Sequence, residues 1–396
     1  MTQLQCSDGI APARAVTTGP GYHWFGYYDK CPWSADGRLM LAMEVDFMDR
    51  PPTGADSIRV GIVDVEAGDR EFHALDETRA WCWQQGTMLQ WLGSDPSRKI
   101  IYNSVEDGRY VSIIHDVHSG ETRTLPRPIY AVSPDGSQAV SLNFSRVART
   151  RPGYGYYALP DPTERQMHPD DDGIWWMDLD TGDTELIVTL DQIVQIAWRQ
   201  SMENENWFNH MQFCTDGSRF LWLHRWYRHG SERWFTRLFT ADPHGNDVFL
   251  VADDDMVSHF DWRDERHILA WATHRQIGNR YYLYRDQTPW FEVVGDEVFT
   301  TDGHCSYSPG DRRFILTDTY PDAQSKRTLL IYDTETGRRA DLGRFLSPRR
   351  YSGEIRCDLH PRWNRDGTGV CFDSLHEGER QMYVIDIAEI IEEARA

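Results

Sequence analysis

One unit recurs along this chain: an aromatic or apolar residue, two small or polar residues, Asp-Gly, then an apolar strand. It is clearest in Trp33-Ser-Ala-Asp36-Gly-Arg-Leu-Met, Val132-Ser-Pro-Asp135-Gly-Ser-Gln-Ala, Phe213-Cys-Thr-Asp216-Gly-Ser-Arg-Phe and Trp363-Asn-Arg-Asp366-Gly-Thr-Gly-Val. Weaker copies run Trp91 to Asp95, Trp262 to Asp264 and Tyr307 to Asp311, so seven turn aspartates follow one another about 55 residues apart on average. A second unit, Asp then Gly four residues later after an apolar strand, recurs at Asp64, Asp116, Asp178 and Asp333, with a shortened copy from Asp242 to Gly245. Asp opens a tight turn and Gly supplies the positive φ that hairpin turns need. Each repeat therefore reads as four short antiparallel strands, and a self-similar period of roughly 40 to 50 residues marks propellers and solenoids.

Seven copies predict an all-β fold, a seven-bladed β-propeller forming one domain over residues 1–396. The blades fall roughly at 25–75, 85–125, 127–190, 205–252, 256–295, 300–345 and 355–390. The last copy ends at Met382-Tyr-Val-Ile-Asp386 without an outer strand. Residues 13–17, Ala-Arg-Ala-Val-Thr, are expected to supply it and close the ring. An open solenoid would instead need polar capping repeats at its ends.

Composition narrows the partners. With 41 basic against 62 acidic residues the net charge is −21, which disfavours nucleic acid and anionic membrane surfaces. No apolar run approaches the ~20 residues that cross a bilayer, and the amino terminus lacks a signal-peptide layout, so a cytoplasmic location is expected. Seven scattered cysteines without a C-x-x-C pair fit reduced thiols. No G-x-S-x-G elbow, P-loop or dinucleotide fingerprint is present.

In a propeller the first strand of each blade lines the central channel, so first-strand starts and second-strand ends share one rim. Counting back from the turn aspartates places Lys30, Tyr130, His210, His259, His304 and His360 there, with Asn103, Asn143, Arg146, Arg225 and Asp318 among the second-strand ends. His210, His259, His304 and His360, at equivalent positions of consecutive blades, form a candidate divalent-metal site for Mn or Zn. They could equally be bonded to the neighbouring blade's backbone and hold nothing. Arg146, Arg149, Arg151 and Lys30 suit a small anion, since guanidinium forks match carboxylates. Tyr27, Tyr28, Tyr130, Tyr154 and Trp226 offer rings for sugar stacking and phenols for proton transfer, or pack between blades. The excursion from Arg146 to Asp172 is long enough to be a functional loop.

The segments Gly21-Tyr-His-Trp-Phe-Gly-Tyr-Tyr-Asp-Lys30, Leu89-Gln-Trp91 with Ile101-Tyr-Asn103, and Ser141-Leu-Asn-Phe-Ser-Arg146 with Arg151-Pro-Gly-Tyr-Gly155 resemble β-propeller polysaccharide lyases. The likeness is nearest to ulvan lyases, more distant to oligogalacturonate lyases, and covers nearly the whole propeller. It implies β-elimination on uronic-acid-containing polymers or oligomers with a bound divalent metal. Tyr130 and Arg146 match the spacing of a catalytic Tyr and a carboxylate-facing Arg, His210, His304 and His360 match metal-binding positions, and His23 is a further proton-transfer candidate. Gln85 and Asn103 stand where some ulvan lyases carry paired histidines, which favours intracellular oligosaccharides over extracellular ulvan.

The expected function is a metal-assisted carbon–oxygen lyase acting on an anionic oligosaccharide. Its catalytic residues would be Tyr130, Arg146 and His23, its substrate-binding residues Lys30, Asn103, Asn143, Arg151 and Tyr154, and its metal ligands His210, His259, His304 and His360. A non-catalytic propeller that binds a glycan or protein partner is the alternative. A metal-dependent hydrolase or lactonase would require carboxylates such as Glu44, Asp46, Asp318 or Asp373 to converge on the metal.

Overall fold

Gly37, Gly136, Gly217 and Gly367 sit at φ between +74° and +77°, each after a turn aspartate. The carboxylates of Asp36, Asp135, Asp216 and Asp366 accept the backbone N–H two residues on at 2.9–3.2 Å. Asp64, Asp116, Asp178 and Asp333 do the same in the second turn at 2.8–3.0 Å. These side chains close their turns locally, so each hairpin forms from its own sequence.

A computed structural model describes residues 12–196, 203–227 and 233–396. They form seven four-stranded antiparallel sheets, six following chain order from the channel outward and the seventh taking Arg14–Ala15 as its outermost strand. The channel strands are Tyr22–Trp24, Gln90–Trp91, Ala131–Val132, Asn206–Phe213, Val257–Trp262, Ser306–Tyr307 and Arg362–Trp363. This is a seven-bladed β-propeller, with buried apolar residues packed between neighbouring blades. Among the described residues no helix is long and apolar enough to cross a membrane.

The ring closes as the repeat arithmetic requires. Arg14–Ala15 pairs antiparallel with Gln381–Asp386 of the seventh blade, and Val16 N–H donates to Met382 O at 2.9 Å. His23 lies in this joint. Its Nδ1 meets Gln381 Oε1 at 2.9 Å and its Nε2 meets Glu44 at 3.1 Å, while Gln381 Oε1 also accepts from Thr17 at 2.7 Å. Successive strand residues face opposite sides, so Trp24 packs on Trp81 and Trp83 while His23 turns the other way.

His23→Ala is expected to cost about 1–3 kcal/mol through its lost hydrogen bond to Gln381, its lost contact with Glu44 and the void left. Calorimetry should show a lower Tm with affinity for Mn or Zn within twofold of wild type.

Candidate functional site

The first blade departs from the repeat in a way that builds the site. After Tyr22–Trp24 the chain leaves the sheet, and residues 25–32 cross the channel before a bridge pairs Trp33 with Met40. Gly26 starts this strap at φ +121°, where a Cβ would lie 3.0 Å from Gln85 O. Tyr28 fixes its far side in the fifth blade: its hydroxyl donates to Phe260 O at 2.9 Å and accepts from Phe260 N at 3.0 Å. Arg362 of the seventh blade donates to Tyr27 O at 3.0 Å and to Gly26 O at 2.5 Å, while its ion pair with Asp373 spans 2.6 Å.

On one side of the strap lie the histidines. The Tyr27 ring centroid is 5.0, 6.4, 5.9 and 4.9 Å from those of His210, His259, His304 and His360. His210 lies where the register between Asn209 and Met211 shifts, and His259 lies where it shifts between Val257 and Phe260. Such bulges re-aim a side chain out of the strand's alternation. His210 and His360 have φ of +49° and +42°, a conformation costly for a non-glycine residue and concentrated at functional sites.

His304, Asp358 and His360 hold their ligand atoms within 4.8 Å of one another, all three buried. The Nε2 atoms of His304 and His360 are buried without a hydrogen-bond partner, and each stands 3.9 Å from Asp358 Oδ2. Asp318 accepts from the backbone N–H of His304 and meets its Nδ1, both at 2.8 Å. That contact holds the proton on Nδ1 and leaves the Nε2 lone pair for a cation, as carboxylates behind metal-binding histidines do. Two orphaned imidazole nitrogens converging on a carboxylate oxygen fit a divalent ion. His259 stands beside them, its ring 4.1 Å from His304 and its Nδ1 2.9 Å from Asp302. Burial alone would raise the Asp358 carboxyl. Arg327 at 2.5 Å and Arg356 at 2.7 Å outweigh that and hold it well below the usual carboxylate range.

His210 forms the other half of the site. Its ring stacks on Tyr27 at 6° with Nε2 3.5 Å from the Tyr27 hydroxyl. Tyr130 Oη accepts from the His210 backbone N–H at 3.0 Å and lies 3.2 Å from its Nδ1, while Gln85 Oε1 accepts from Tyr130 at 3.0 Å. Burial first, and the Arg225 charge second, push His210 well below the ordinary imidazole value, so it is neutral at pH 7. Burial likewise raises the Tyr27 phenol well above 10, so it keeps its proton. Arg225 is buried and Arg151 partly so, and neither has a carboxylate in ion-pair contact among the described residues. Burial, then Arg151, lowers Arg225 to about 10. Arg151 lies 4.6 Å from the Tyr154 ring centroid and 4.7 Å from that of Trp234, and Tyr154 meets His210 edge-on at 5.3 Å.

The remaining expected site residues lie elsewhere. Arg146 is fully buried and donates to the carbonyls of Asn206, Thr163, Gln166 and Met167 at 2.7–3.1 Å, so its guanidinium ties down the long excursion and faces no channel. Asn143 caps the helix Phe144–Thr150 and binds Asp161 and Asp172. Asn103 clamps Ile129 through both its amide atoms. Lys30 lies past the strap in a cavity of about 400 Å³ with Gln90, Gln212 and Asp261, ion-paired to Asp29 at 2.7 Å. Counting back from Asp36 misplaces it because the strap breaks the register of that one blade. Asp358, two residues before His360, was legible only as an Asp-x-His spacing, and Arg356 carried no signal.

These features define a seven-bladed propeller with a buried His/Asp group and a cationic rim at one channel mouth. No protein-family model and no curated protein matches the sequence. Among solved structures, an oligogalacturonate lyase from Vibrio parahaemolyticus aligns at TM-score 0.66 and 15% identity over 97% of this chain and 96% of its own. An oligogalacturonate lyase in complex with manganese aligns at 0.64 and 15% over 98% and 96%. The β-propeller domain of the trilobed protease from Pyrococcus furiosus aligns at 0.52 and 10% over 92% and 95%. The chain thus shares the fold of these two oligogalacturonate lyases over 97–98% of its length.

Asp318→Asn is expected to weaken Mn or Zn binding 10- to 100-fold by calorimetric titration, with little change in Tm of the metal-free protein. Burial holds His210, His224, His259 and His360 below their unfolded value near 6.5. The unfolded chain therefore takes up more protons below that pH, and stability falls on acidification. Scanning calorimetry should show Tm dropping from pH 7 to pH 5.5 and nearly level from pH 7 to pH 8.5.

Proposed function

We propose that this protein is a lyase that cleaves uronic-acid-containing oligosaccharides by β-elimination. The observation that carries the reading is the pair Arg151 and Arg225, two guanidiniums without carboxylate partners among the described residues, set beside a neutral imidazole, a protonated phenol and a metal-shaped His/Asp group. Buried cations without counter-ions are costly unless a ligand supplies the negative charge, and a uronate carboxylate does so.

Elimination removes the C–H proton α to that carboxylate, turns its electron pair into a C=C bond, and breaks the β C–O bond to the leaving sugar. The proton is acidic enough only when cations neutralise the carboxylate and the enolate that develops from it. Arg151 and Arg225 orient the carboxylate and share that charge. His210, in the tautomer that carries its proton on Nδ1, presents the Nε2 lone pair as base. Tyr27 gives its proton to the leaving oxygen and regains one from His210 across their 3.5 Å contact, so the net transfer is from carbon to the departing oxygen. Tyr130 positions His210, and the charge role expected of Arg146 passes to Arg225 and Arg151. His304, His360 and Asp358 would hold a divalent ion, which when bound supplies additional positive charge for the carboxylate. Support for the substrate class comes from the cationic rim on a protein of net charge −21 and from the fold shared with oligogalacturonate lyases.

Ultraviolet absorbance of unsaturated uronides, followed with oligogalacturonides and other uronide oligomers plus Mn or Zn, tests the reading. A rising signal that falls at least 100-fold in Arg225→Met, with Tm preserved, is expected. A flat trace across the panel from metal-loaded protein would overturn it and leave a glycan-binding propeller.

A further inference from the structure

Tyr320 stands at the mouth of the histidine cluster and is not used in the chemistry above. It is 41% exposed, one of few large aromatic side chains so open to solvent. It lies on the loop between the strands Phe314–Asp318 and Lys326–Asp333. Its ring centroid is 6.3 Å from His304 and 6.4 Å from His259, tilted by 41° and 33°.

Tyr320 is firmly backed. The Arg327 guanidinium lies 5.6 Å from its ring centroid. Arg327 is itself buried, ion-paired to Asp358 and bonded to Ser347. The Asp318 that orients His304 is two residues away, so the strand that positions one metal-binding imidazole also sets the aromatic ring. The Tyr320 hydroxyl makes no hydrogen bond among the described residues, so no hydrogen bond accounts for this open ring.

We infer that Tyr320 is a sugar-binding platform whose exposed face stacks on the pyranose ring of the uronide held by Arg151 and Arg225. This rests on the lyase reading and deepens it by naming what selects the substrate. The C–H face of a pyranose is apolar with a slight positive edge, which suits the negative face of an aromatic ring. Guanidiniums alone hold any small carboxylate. A platform beside the His259 and His304 rings makes the site prefer a cyclic uronide over an open-chain sugar acid of the same charge.

Calorimetric titration of manganese-loaded full-length protein with trigalacturonate, and separately with galactarate as an open-chain dicarboxylate, tests this. Tyr320→Ala is expected to weaken trigalacturonate about tenfold, to leave galactarate and manganese affinity within twofold, and to raise KM rather than lower kcat. Tyr320→Phe should bind as wild type does, because the face and not the hydroxyl is used. Equal trigalacturonate affinity in wild type and Tyr320→Ala would overturn the platform while leaving the lyase reading in place. A loss of manganese and both ligands together would also overturn it, showing Tyr320 to be a structural support. Wild-type protein that binds no trigalacturonate would remove the lyase reading and the platform with it.

Discussion

The strap that crosses the channel between Trp24 and Trp33 is the constraint on which the site depends. A propeller of seven similar blades has a channel but no reason to favour one mouth. The hydrogen bonds of Tyr28 to both backbone groups of Phe260 join the first blade to the fifth. Arg362, ion-paired to Asp373, ties the same segment to the seventh. The strap thereby sets the Tyr27 ring against four imidazoles, separates them from the chamber that holds Lys30, and braces the strand whose bulge aims His259.

Charge is arranged in layers around that ring. Asp318 and Asp302 lie behind His304 and His259, Asp358 lies between two arginines, and Arg151 and Arg225 lie at the rim with no carboxylate partner among the described residues. The inner layer suits a cation and the outer layer an anion. Burial governs the rest: it keeps the His210 imidazole neutral and the Tyr27 phenol protonated, the states in which one accepts a proton and the other gives it.

The fold was legible in the sequence because its turn chemistry is local. Each Asp-Gly pair closes its own hairpin, and the missing outer strand of the last repeat could be matched to residues 13–17 by counting. The four histidines were legible for the same reason, as equivalent positions in consecutive repeats. What escaped depends on tertiary contacts. The arginine-rich excursion looks like an anion site, yet Arg146 is enclosed by carbonyls. His23 looks like a proton carrier, yet strand alternation turns it into the ring closure. Lys30 is displaced by the strap, which no count of turn spacing reveals. Asp358 precedes its strand and joins the site only because the seventh blade brings it beneath His304.

His304, His360 and Asp358 are proposed to form a divalent-metal centre beside Tyr27 and His210. Anomalous diffraction from crystals of the zinc-loaded protein, recorded on both sides of the zinc edge, addresses it directly. One strong peak about 2.1 Å from both His304 Nε2 and His360 Nε2 is expected. A peak at another position, such as the Lys30 chamber, with none between these two nitrogens would contradict it.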